Sequence, residues 1–271
     1  MTYLSFLLRF VCIPILILFI IALWDERRGK HIKGLQDGRA VWMAIGIHVL
    51  LAVLYTTPWD NYLVATGVWY YNPALVTGMV IGYVPVEEYT FFVVETILAG
   101  LWWAFLARRL PRPEIDFKPH KAIVYDLAIL LIFTWLSFAH LLFFGAARWT
   151  YLSLTLFWAL PAIFPQLLFG ADILWHYRKL VFWAIVIPAA YLSLTDVIAL
   201  KDTTWSISQS QSTGVLFFGI LPLEEVVFFF ITNTLITFGL TLLLAKESQA
   251  NRVTRYVLSR IRRSMVNPNT C

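Results

Sequence analysis

Residues 82–92 read GYVPVEEYTFF, and residues 219–229 read GILPLEEVVFF. Both stretches follow the pattern G-x-x-P-x-E-E-x-x-F-F, and their first residues are 137 positions apart. Adjacent glutamates in an apolar run are costly to place in a membrane, because an ionised carboxylate there must be paired, neutralised or wetted. This cost, incurred twice at matching positions, indicates a function. For either copy alone, the simpler explanation is that Pro85 or Pro222 is the first helical residue and the glutamates cap the helix.

The composition indicates a membrane protein. Of the 271 residues, 60% are hydrophobic and 14% are charged, and the mean hydropathy is +0.73. These values lie far from those of soluble globular domains. The fold class predicted is therefore an all-α polytopic membrane protein with about seven transmembrane helices. The apolar segments lie at about 3–23, 40–57, 75–106, 121–144, 151–169, 180–195 and 214–245.

Two of these segments, 75–106 and 214–245, are too long for a single crossing. At 1.5 Å per residue each would reach roughly 48 Å, against a hydrocarbon core of about 30 Å. We therefore expect Pro85 and Pro222 to break them, so that each spanning helix starts near its glutamate pair. A short re-entrant or interfacial piece is expected before each helix. Within the first of these pieces, the G-x-x-x-G of residues 78–82 predicts a close helix contact.

The two halves of the chain match beyond the glutamates. Both contain Tyr-Leu-Ser, at residues 3–5 and 151–153, and an aspartate nine residues before a tryptophan, in Asp60 to Trp69 and Asp196 to Trp205. This similarity predicts two parallel three-helix repeats joined by a linking helix. The predicted divisions are a first repeat at 1–110, a connecting loop and fourth helix at 111–150, a second repeat at 151–246 and a basic cytoplasmic tail at 247–271.

The aspartates and tryptophans of this spacing have two interpretations. Asp60 and Asp196 can each end a helix at the outer interface, and Trp69 and Trp205 can belong to an interfacial aromatic belt. The matched spacing instead favours loops that cover the functional site, which makes all four residues candidates for substrate binding. A further acid, Glu95, is either a proton relay or a hydrogen-bonded core carboxyl, and both alternatives stay open.

The distribution of basic residues predicts the orientation. Of the 21 lysines and arginines, 18 lie in the loops after the first, third and fifth spans and in the C-terminal tail. The opposite loops contain Arg148 and Lys201, and Arg9 lies within the first span. By the positive-inside rule, we expect a protein of the cell membrane with its N-terminus outside and its C-terminus in the cytoplasm. Both glutamate pairs then lie toward the outer face.

The paired acids suggest proton chemistry. Two adjacent carboxyls in a desolvated site can hold one proton near neutral pH, so that one acts as a general acid and its partner later acts as a base. The pattern does not choose between the members of a pair. The candidate catalytic residues are Glu87, Glu88, Glu224 and Glu225.

Four phenylalanines follow the acids by one helical turn. Their rings can pack in the core, and a ring face can also stabilise a developing carbocation, which makes these residues candidates for substrate binding. Acids beside such rings suit the protonation of an isolated alkene. No G-x-G-x-x-G fingerprint for a flavin or nicotinamide cofactor occurs in the sequence, and no metal motif is visible, so no cofactor is expected. The phenylalanines are Phe91, Phe92, Phe228 and Phe229.

The doubled P-x-E-E motif on two three-helix repeats resembles the membrane lycopene cyclase domain family. That family occurs as separate subunits, as fused single chains, and joined to phytoene synthase in fungi. The resemblance covers about residues 1–246 and implies the fused form. It implies conversion of the ψ-ends of lycopene to β-rings without net redox change. The family's P-x-E-E/D acids fall on Glu87 with Glu88 and on Glu224 with Glu225.

The resemblance also implies the partners. A lipophilic carotenoid such as lycopene and the lipid bilayer are expected, as is contact with other carotenoid-pathway enzymes. A nucleic-acid partner is not expected, because no basic stripe is interleaved with stacking aromatics. The main alternative function is a proton- or cation-coupled transporter, since repeats with broken helices and intramembrane acids are typical of transporters too.

Overall fold

The computed structural model describes residues 1–251 apart from residues 33, 112–116 and 118. Most of the predicted basic tail, residues 252–271, lies outside the described residues. Within the described part, seven helices are long and apolar enough to cross a membrane, which confirms an all-α polytopic membrane protein. The spanning helices are α1 (Tyr3–Arg27), α2 (Arg39–Ala65), α3 (Val86–Ala107), α4 (Lys121–Phe144), α5 (Thr150–His176), α6 (Arg178–Lys201) and α7 (Leu223–Leu244). A short helix, α8 (Lys246–Asn251), follows.

Six short strands connect the helices on the side where the glutamates lie. Two of the three pairs that they form are local hairpins, β2 with β3 and β5 with β6. The third pair, β1 with β4, joins the two halves of the chain. The strands are β1 (Trp69–Tyr71), β2 (Val80–Ile81), β3 (Val84–Pro85), β4 (Trp205–Ile207), β5 (Leu216–Phe217) and β6 (Leu221–Pro222).

Several helices extend past the apolar segments that predicted them, and α2 and α6 do so in a region that contains site candidates. Helix α2 continues to Ala65 and α6 to Lys201, although hydropathy placed their ends near residues 57 and 195. The aspartates in these extensions are buried against other parts of the protein: Asp60 is 0% exposed and Asp196 is 1% exposed. The interpretation of these aspartates as helix ends at the outer interface is therefore wrong. Hydropathy underestimates the length of a helix whose polar residues face protein rather than lipid.

The segments before α3 and α7 are β-hairpins, where the sequence predicted re-entrant or interfacial pieces of unstated structure. Gly82 has φ of +68° in the first turn, and Gly219 has φ of +69° in the second. Glycine adopts this left-handed conformation without the steric cost that a Cβ brings. The predicted helix contact through Gly78 and Gly82 is wrong, because both glycines lie outside helices and Gly78 has no neighbour that a Cβ would meet.

The two hairpins differ by one residue. Residues 82–83 form the first turn and residues 218–220 form the second. This extra residue accounts for the change in offset between the halves, which is 136 from Asp60 to Asp196 and 137 from Glu88 to Glu225. The matching positions therefore continue through the whole hairpin into the spanning helix.

Helices α3 and α7 form the centre of the bundle. They pack against each other, and each also contacts the other half of the chain, α3 on α6 and α7 on α2. In an apolar stretch of 18 residues of α3, 61% of the residues are buried, whereas in the corresponding stretch of α4 only 6% are buried. Helix α4 is therefore peripheral and packs mainly along α5. This arrangement is compatible with a linking helix, and the division into two repeats stays a prediction.

Candidate active site

Each glutamate pair lies in the first turn of a central helix. Pro85 and Pro222 are the N-cap residues of α3 and α7, with extended ψ values of 149° and 146°. They thus precede the first helical residue by one position, whereas the capping explanation placed them within the helix. Proline suits this place because its ring holds φ near −65° and it has no N–H to leave unsatisfied.

The first glutamate of each pair binds the loop that precedes its helix. Oε1 of Glu87 accepts the backbone N–H of Thr77 at 2.5 Å, and Oε1 of Glu224 accepts that of Thr213 at 2.6 Å. Both side chains are buried, and the second oxygen of each makes no hydrogen bond within the described residues. Glu87 and Glu224 therefore tie matching loops to matching helices.

The second glutamate of each pair is held by aromatic donors. Oε2 of Glu88 accepts the hydroxyls of Tyr3 at 2.5 Å and Tyr71 at 2.9 Å. Oε1 of Glu225 accepts the hydroxyl of Tyr151 at 2.8 Å and the indole N–H of Trp69 at 3.1 Å. In both carboxyls the two donors bind the same oxygen. No hydrogen bond to the other oxygen is found among the residues that the structure describes, so that oxygen can give or take a proton.

Glu88 and Glu225 line one narrow cavity of about 20 Å³ between the two halves of the chain. We call it the acid pocket. Because α3 and α7 are in contact, their equivalent acids face a shared space rather than two separate sites. Of the other candidates from the sequence, the pocket is lined by Phe91, Phe228, Phe229, Asp196, Trp69 and Trp205.

Four candidates do not line the acid pocket. Glu87 and Glu224 face the loops, and Phe92 lines a different, larger cavity. Asp60 is fully buried, and neither of its carboxyl oxygens has a hydrogen-bond partner within the described residues. Asp60 and its counterpart Asp196 therefore differ in their surroundings, since only Asp196 reaches the pocket.

The two tryptophans are buried, with 5% of Trp69 and 7% of Trp205 exposed. The interpretation of these residues as an interfacial aromatic belt is therefore wrong. Trp69 donates across the halves to Glu225, whereas Trp205 donates to Asp196 of its own half at 2.9 Å. The pairing of β1 with β4 makes the hydrogen bond from Trp69 to the other half possible, because it places these strands side by side between the halves.

Three tyrosines of the site were not among the sequence candidates. Tyr3 and Tyr151 belong to the matched Tyr-Leu-Ser triplets. The match could have identified both tyrosines as site residues, but it was used only to align the halves. Tyr71 has no counterpart, because the matching position is occupied by Ile207. Burial, together with the nearby carboxyls of Asp60 and Glu88, raises the pKa of Tyr71 well above its ordinary value. Tyr71 therefore stays protonated and donates to Glu88.

Comparison with known proteins identifies the family. Lycopene beta-cyclases from two strains of Halobacterium salinarum are each 35% identical to this chain over 244 residues, which are 89% of this chain and 95% of the relative. The chain belongs to the membrane lycopene cyclase family. The bifunctional lycopene cyclase/phytoene synthase of Podospora anserina is 34% identical over 209 residues, or 74% of this chain and 35% of that protein. No family model and no solved structure matches the chain.

Membership of the cyclase family distinguishes between the two functions that the sequence left open, a cyclase and a transporter. The relatives named above are cyclases, and the transporter alternative receives no support from them. Among the described residues, no group of three His, Cys, Asp or Glu side chains is arranged to hold a metal ion. The groups that line the acid pocket and can take part in chemistry are three hydrogen-bonded carboxyls, on Glu88, Asp196 and Glu225, and aromatic rings.

Proposed function

We propose that this protein cyclises the ψ-ends of lycopene to β-rings, giving β-carotene by way of γ-carotene, with no net redox change. The observation that carries the proposal is the position of Glu88 and Glu225 on the walls of one apolar pocket inside a membrane protein. The β-ring is chosen because the Halobacterium salinarum relatives are lycopene beta-cyclases. As a carotenoid cyclase, the enzyme is an intramolecular lyase or isomerase.

The proposed reaction needs one acid and one base. One carboxyl of the acid pocket protonates the terminal double bond of the ψ-end and leaves a tertiary carbocation. The next double bond attacks this cation and closes a six-membered ring, which moves the positive charge to a ring carbon. A carboxylate removes a proton beside that carbon and sets the final double bond. One proton is added and one is lost, so the product is an isomer of the substrate.

The aromatic side chains of the acid pocket have a role in this mechanism. The rings of Phe91, Phe228 and Phe229 line the space where the cation forms. A desolvated cation over a ring face is stabilised by about 2 kcal/mol. The rings also keep water away from the cation, which water would otherwise trap as an alcohol.

We further propose that the members of each glutamate pair have separate roles. Glu88 and Glu225 reach the pocket and exchange protons with the substrate, whereas Glu87 and Glu224 hold the loops that precede α3 and α7. The aromatic donors on Glu88 and Glu225 fix one oxygen of each carboxyl, so that the free oxygen is aimed for proton transfer. These donors are positioning residues.

The location proposed for this multi-pass protein is the cell membrane, with the N-terminus outside, the C-terminus in the cytoplasm and the acid pocket toward the outer face. The excess of lysine and arginine in one set of loops supports this orientation. The partners proposed are a lipophilic acyclic carotenoid, the surrounding lipid and other enzymes of carotenoid synthesis, which would pass the substrate on within the bilayer.

The function is tested by expressing the chain in a host that accumulates lycopene. Pigment extracts should contain one-ringed and two-ringed carotenoids, which an empty vector does not produce. Purified protein in liposomes should convert lycopene without reduced flavin or nicotinamide, because the proton added and the proton lost cancel. Unchanged lycopene in a host that contains the folded protein would refute the cyclase function.

A further inference from the structure

A second cavity, of about 360 Å³, lies next to the acid pocket and farther from the N-termini of α3 and α7. It is enclosed by α2, α3, α5 and α7, and its volume lies within the usual range for small-molecule sites, about 300–1,000 Å³. On α7 its wall runs from Phe228, one turn past Glu225, to Ile236. The proposed chemistry takes place in the acid pocket and leaves this larger space without a role.

Phe228 separates the two cavities and lines both of them. Its ring stacks on Trp59 with centroids 5.6 Å apart and planes 7° apart. Trp59 stacks on Trp158 at 4.5 Å, and Trp158 stacks on Tyr55 at 5.5 Å. Four aromatic rings therefore form a continuous stack beside the larger cavity, and three of them, Phe228, Trp158 and Tyr55, line it.

The larger cavity reaches the lipid-facing surface between α2 and α5. Leu51 and Tyr55, which line it, are 55% and 40% exposed. The rim is held by two reciprocal hydrogen bonds: the Tyr55 hydroxyl donates to the backbone oxygen of Trp158 at 2.7 Å, and the Trp158 indole donates to that of Tyr55 at 3.2 Å. A ligand that enters here comes from the hydrocarbon core and not from water.

Several polar groups on the cavity wall make hydrogen bonds within the protein, whereas Oε1 of Gln166 has no partner within the described residues. The hydroxyl of Thr232 donates to Oε1 of Glu95 at 2.9 Å, the hydroxyl of Thr96 donates to the backbone oxygen of Phe92 at 2.8 Å, and Nδ1 of His48 lies 2.7 Å from a backbone oxygen. Glu95 thus has the contacts of a hydrogen-bonded core carboxyl, one of the two alternatives from the sequence. A wall that is largely apolar and whose hydroxyls on Thr96 and Thr232 are already paired suits a hydrocarbon.

We propose that the larger cavity binds the polyene chain of the carotenoid, which enters from the bilayer between α2 and α5 and passes its reacting end beside Phe228 into the acid pocket. This inference rests on the proposed function, since it assigns a place to the part of the substrate that does not react. Three rings of the stack, Phe228, Trp158 and Tyr55, line this path and give the conjugated chain an aromatic wall.

The length of the cavity limits how much of the substrate it holds. Its wall on α2 runs from His48 to Thr56, which is about 12 Å at 1.5 Å per residue. An extended carotenoid is comparable to the hydrocarbon core, about 30 Å. The remainder of the chain therefore lies in the bilayer outside the rim. After the first ring closes, the molecule must leave and enter again from its other end.

The test uses a protein that binds lycopene without converting it. Glu88→Gln with Glu225→Gln, reconstituted in lipid nanodiscs, keeps both cavities but cannot exchange protons. Lycopene is achiral, so a circular dichroism signal in its visible absorption band arises only from molecules held in an asymmetric site. Ala52→Phe and Ala162→Phe are then added one at a time, because both alanines line the larger cavity and a ring there fills it. Ala122→Phe, on the exposed face of α4, is the matched control.

We expect the induced signal to fall at least tenfold in Ala52→Phe and Ala162→Phe and to stay unchanged in Ala122→Phe. The milder Ala52→Val and Ala162→Val variants should reduce it partially, and they decide the question if a phenylalanine variant does not fold. Full signal in the filled variants would overturn the proposal. Retention of a phospholipid that lycopene does not displace would also overturn it, because a lipid chain would then be the occupant.

The same variants in the wild-type background separate this proposal from the proposed function. If the wild type cyclises lycopene and the filled variants do so equally well, the cavity proposal fails and the cyclase function stands. If the wild type does not cyclise lycopene, the cyclase function fails, and the induced signal of the double glutamine variant still decides whether the cavity binds a polyene.

Discussion

At the scale of single residues, the two glutamates of each pair have different surroundings. Glu88 and Glu225 lie in the acid pocket with one oxygen free, whereas Glu87 and Glu224 accept loop backbone N–H groups. Neighbouring positions on a helix point about 100° apart, and in both pairs this difference turns one glutamate to the acid pocket and the other to the preceding loop. The chain thus contains a matched control for its own catalytic hypothesis.

The first prediction compares these four positions. Glu88→Gln and Glu225→Gln should each lower the rate of lycopene consumption by at least about 10²-fold, the usual contribution of acid–base catalysis. Glu87→Gln and Glu224→Gln should keep more activity, because an amide oxygen still accepts the loop N–H. Rates per folded protein are measured in liposomes. A greater loss in the Glu87 and Glu224 variants would reverse the assignment within the pairs.

The second prediction concerns the tyrosine donors. Tyr3→Phe and Tyr151→Phe each remove one hydrogen bond to a carboxylate, worth about 1.5–3 kcal/mol, so turnover should fall about tenfold or more and its pH profile should shift. Tyr191→Phe is the control, because its hydroxyl binds the backbone oxygen of Phe10 away from the acid pocket. Equal pH profiles in all three variants and the wild type would show that the tyrosines act only on stability.

At the scale of elements, the hairpins before α3 and α7 position the glutamate pairs. Each hairpin ends in the proline that caps its helix. Its turn contains a glycine with positive φ, and the two glycines differ in their neighbours. A Cβ on Gly82 would collide with Oδ1 of Asn61, whereas a Cβ on Gly219 would meet no atom within 4 Å. Substitution of Gly219 therefore introduces backbone strain alone, whereas substitution of Gly82 introduces backbone strain and a steric clash.

The third prediction uses that difference. Gly219→Ala should lower the free energy of unfolding by about 1 kcal/mol, from the left-handed backbone alone. Gly82→Ala should lower it further, because Asn61 must move and give up its bonds to the Tyr83 N–H and the Tyr89 hydroxyl. Thermal unfolding of both variants in one detergent measures the two effects. Equal losses would mean that the Asn61 contact contributes nothing.

At the scale of the whole molecule, the acid pocket belongs to both halves of the chain. Strands β1 and β4 pair antiparallel with Tyr70 opposite Ser206, and these two residues occupy matching positions of the halves. Such a register is what a local two-fold axis between the halves produces. The matching acids Glu88 and Glu225 line one pocket, where an axis of this kind would place them, and this favours a single reaction site over one site in each half.

The fourth prediction follows from the shared pocket. If Glu88 and Glu225 serve one reaction, losing either acid should abolish the first cyclisation as well as the second. Extracts from cells with Glu88→Gln or Glu225→Gln should therefore contain acyclic pigment and almost no monocyclic pigment. Near-normal yields of a monocyclic carotenoid from both variants would instead establish two independent sites.

Much of the fold could be predicted from the sequence because membrane crossing depends on local composition. The fourth predicted segment, residues 121–144, has the bounds of α4, and the breaks at Pro85 and Pro222 mark the starts of α3 and α7. The hairpins were not predicted. Their strands are two residues long and apolar, so hydropathy cannot tell them from the adjoining helices.

Seven spans, two acid pairs and their matched positions were determined by the sequence alone, because residue spacing and hydrophobic length are properties of the chain. Only the tertiary structure decided that Glu88 and Glu225 share a pocket and that Trp69 donates to the acid of the other half. These contacts depend on the rotation of α3 and α7 about their axes and on the pairing of β1 with β4. Packing between distant segments sets both, and no local pattern encodes it.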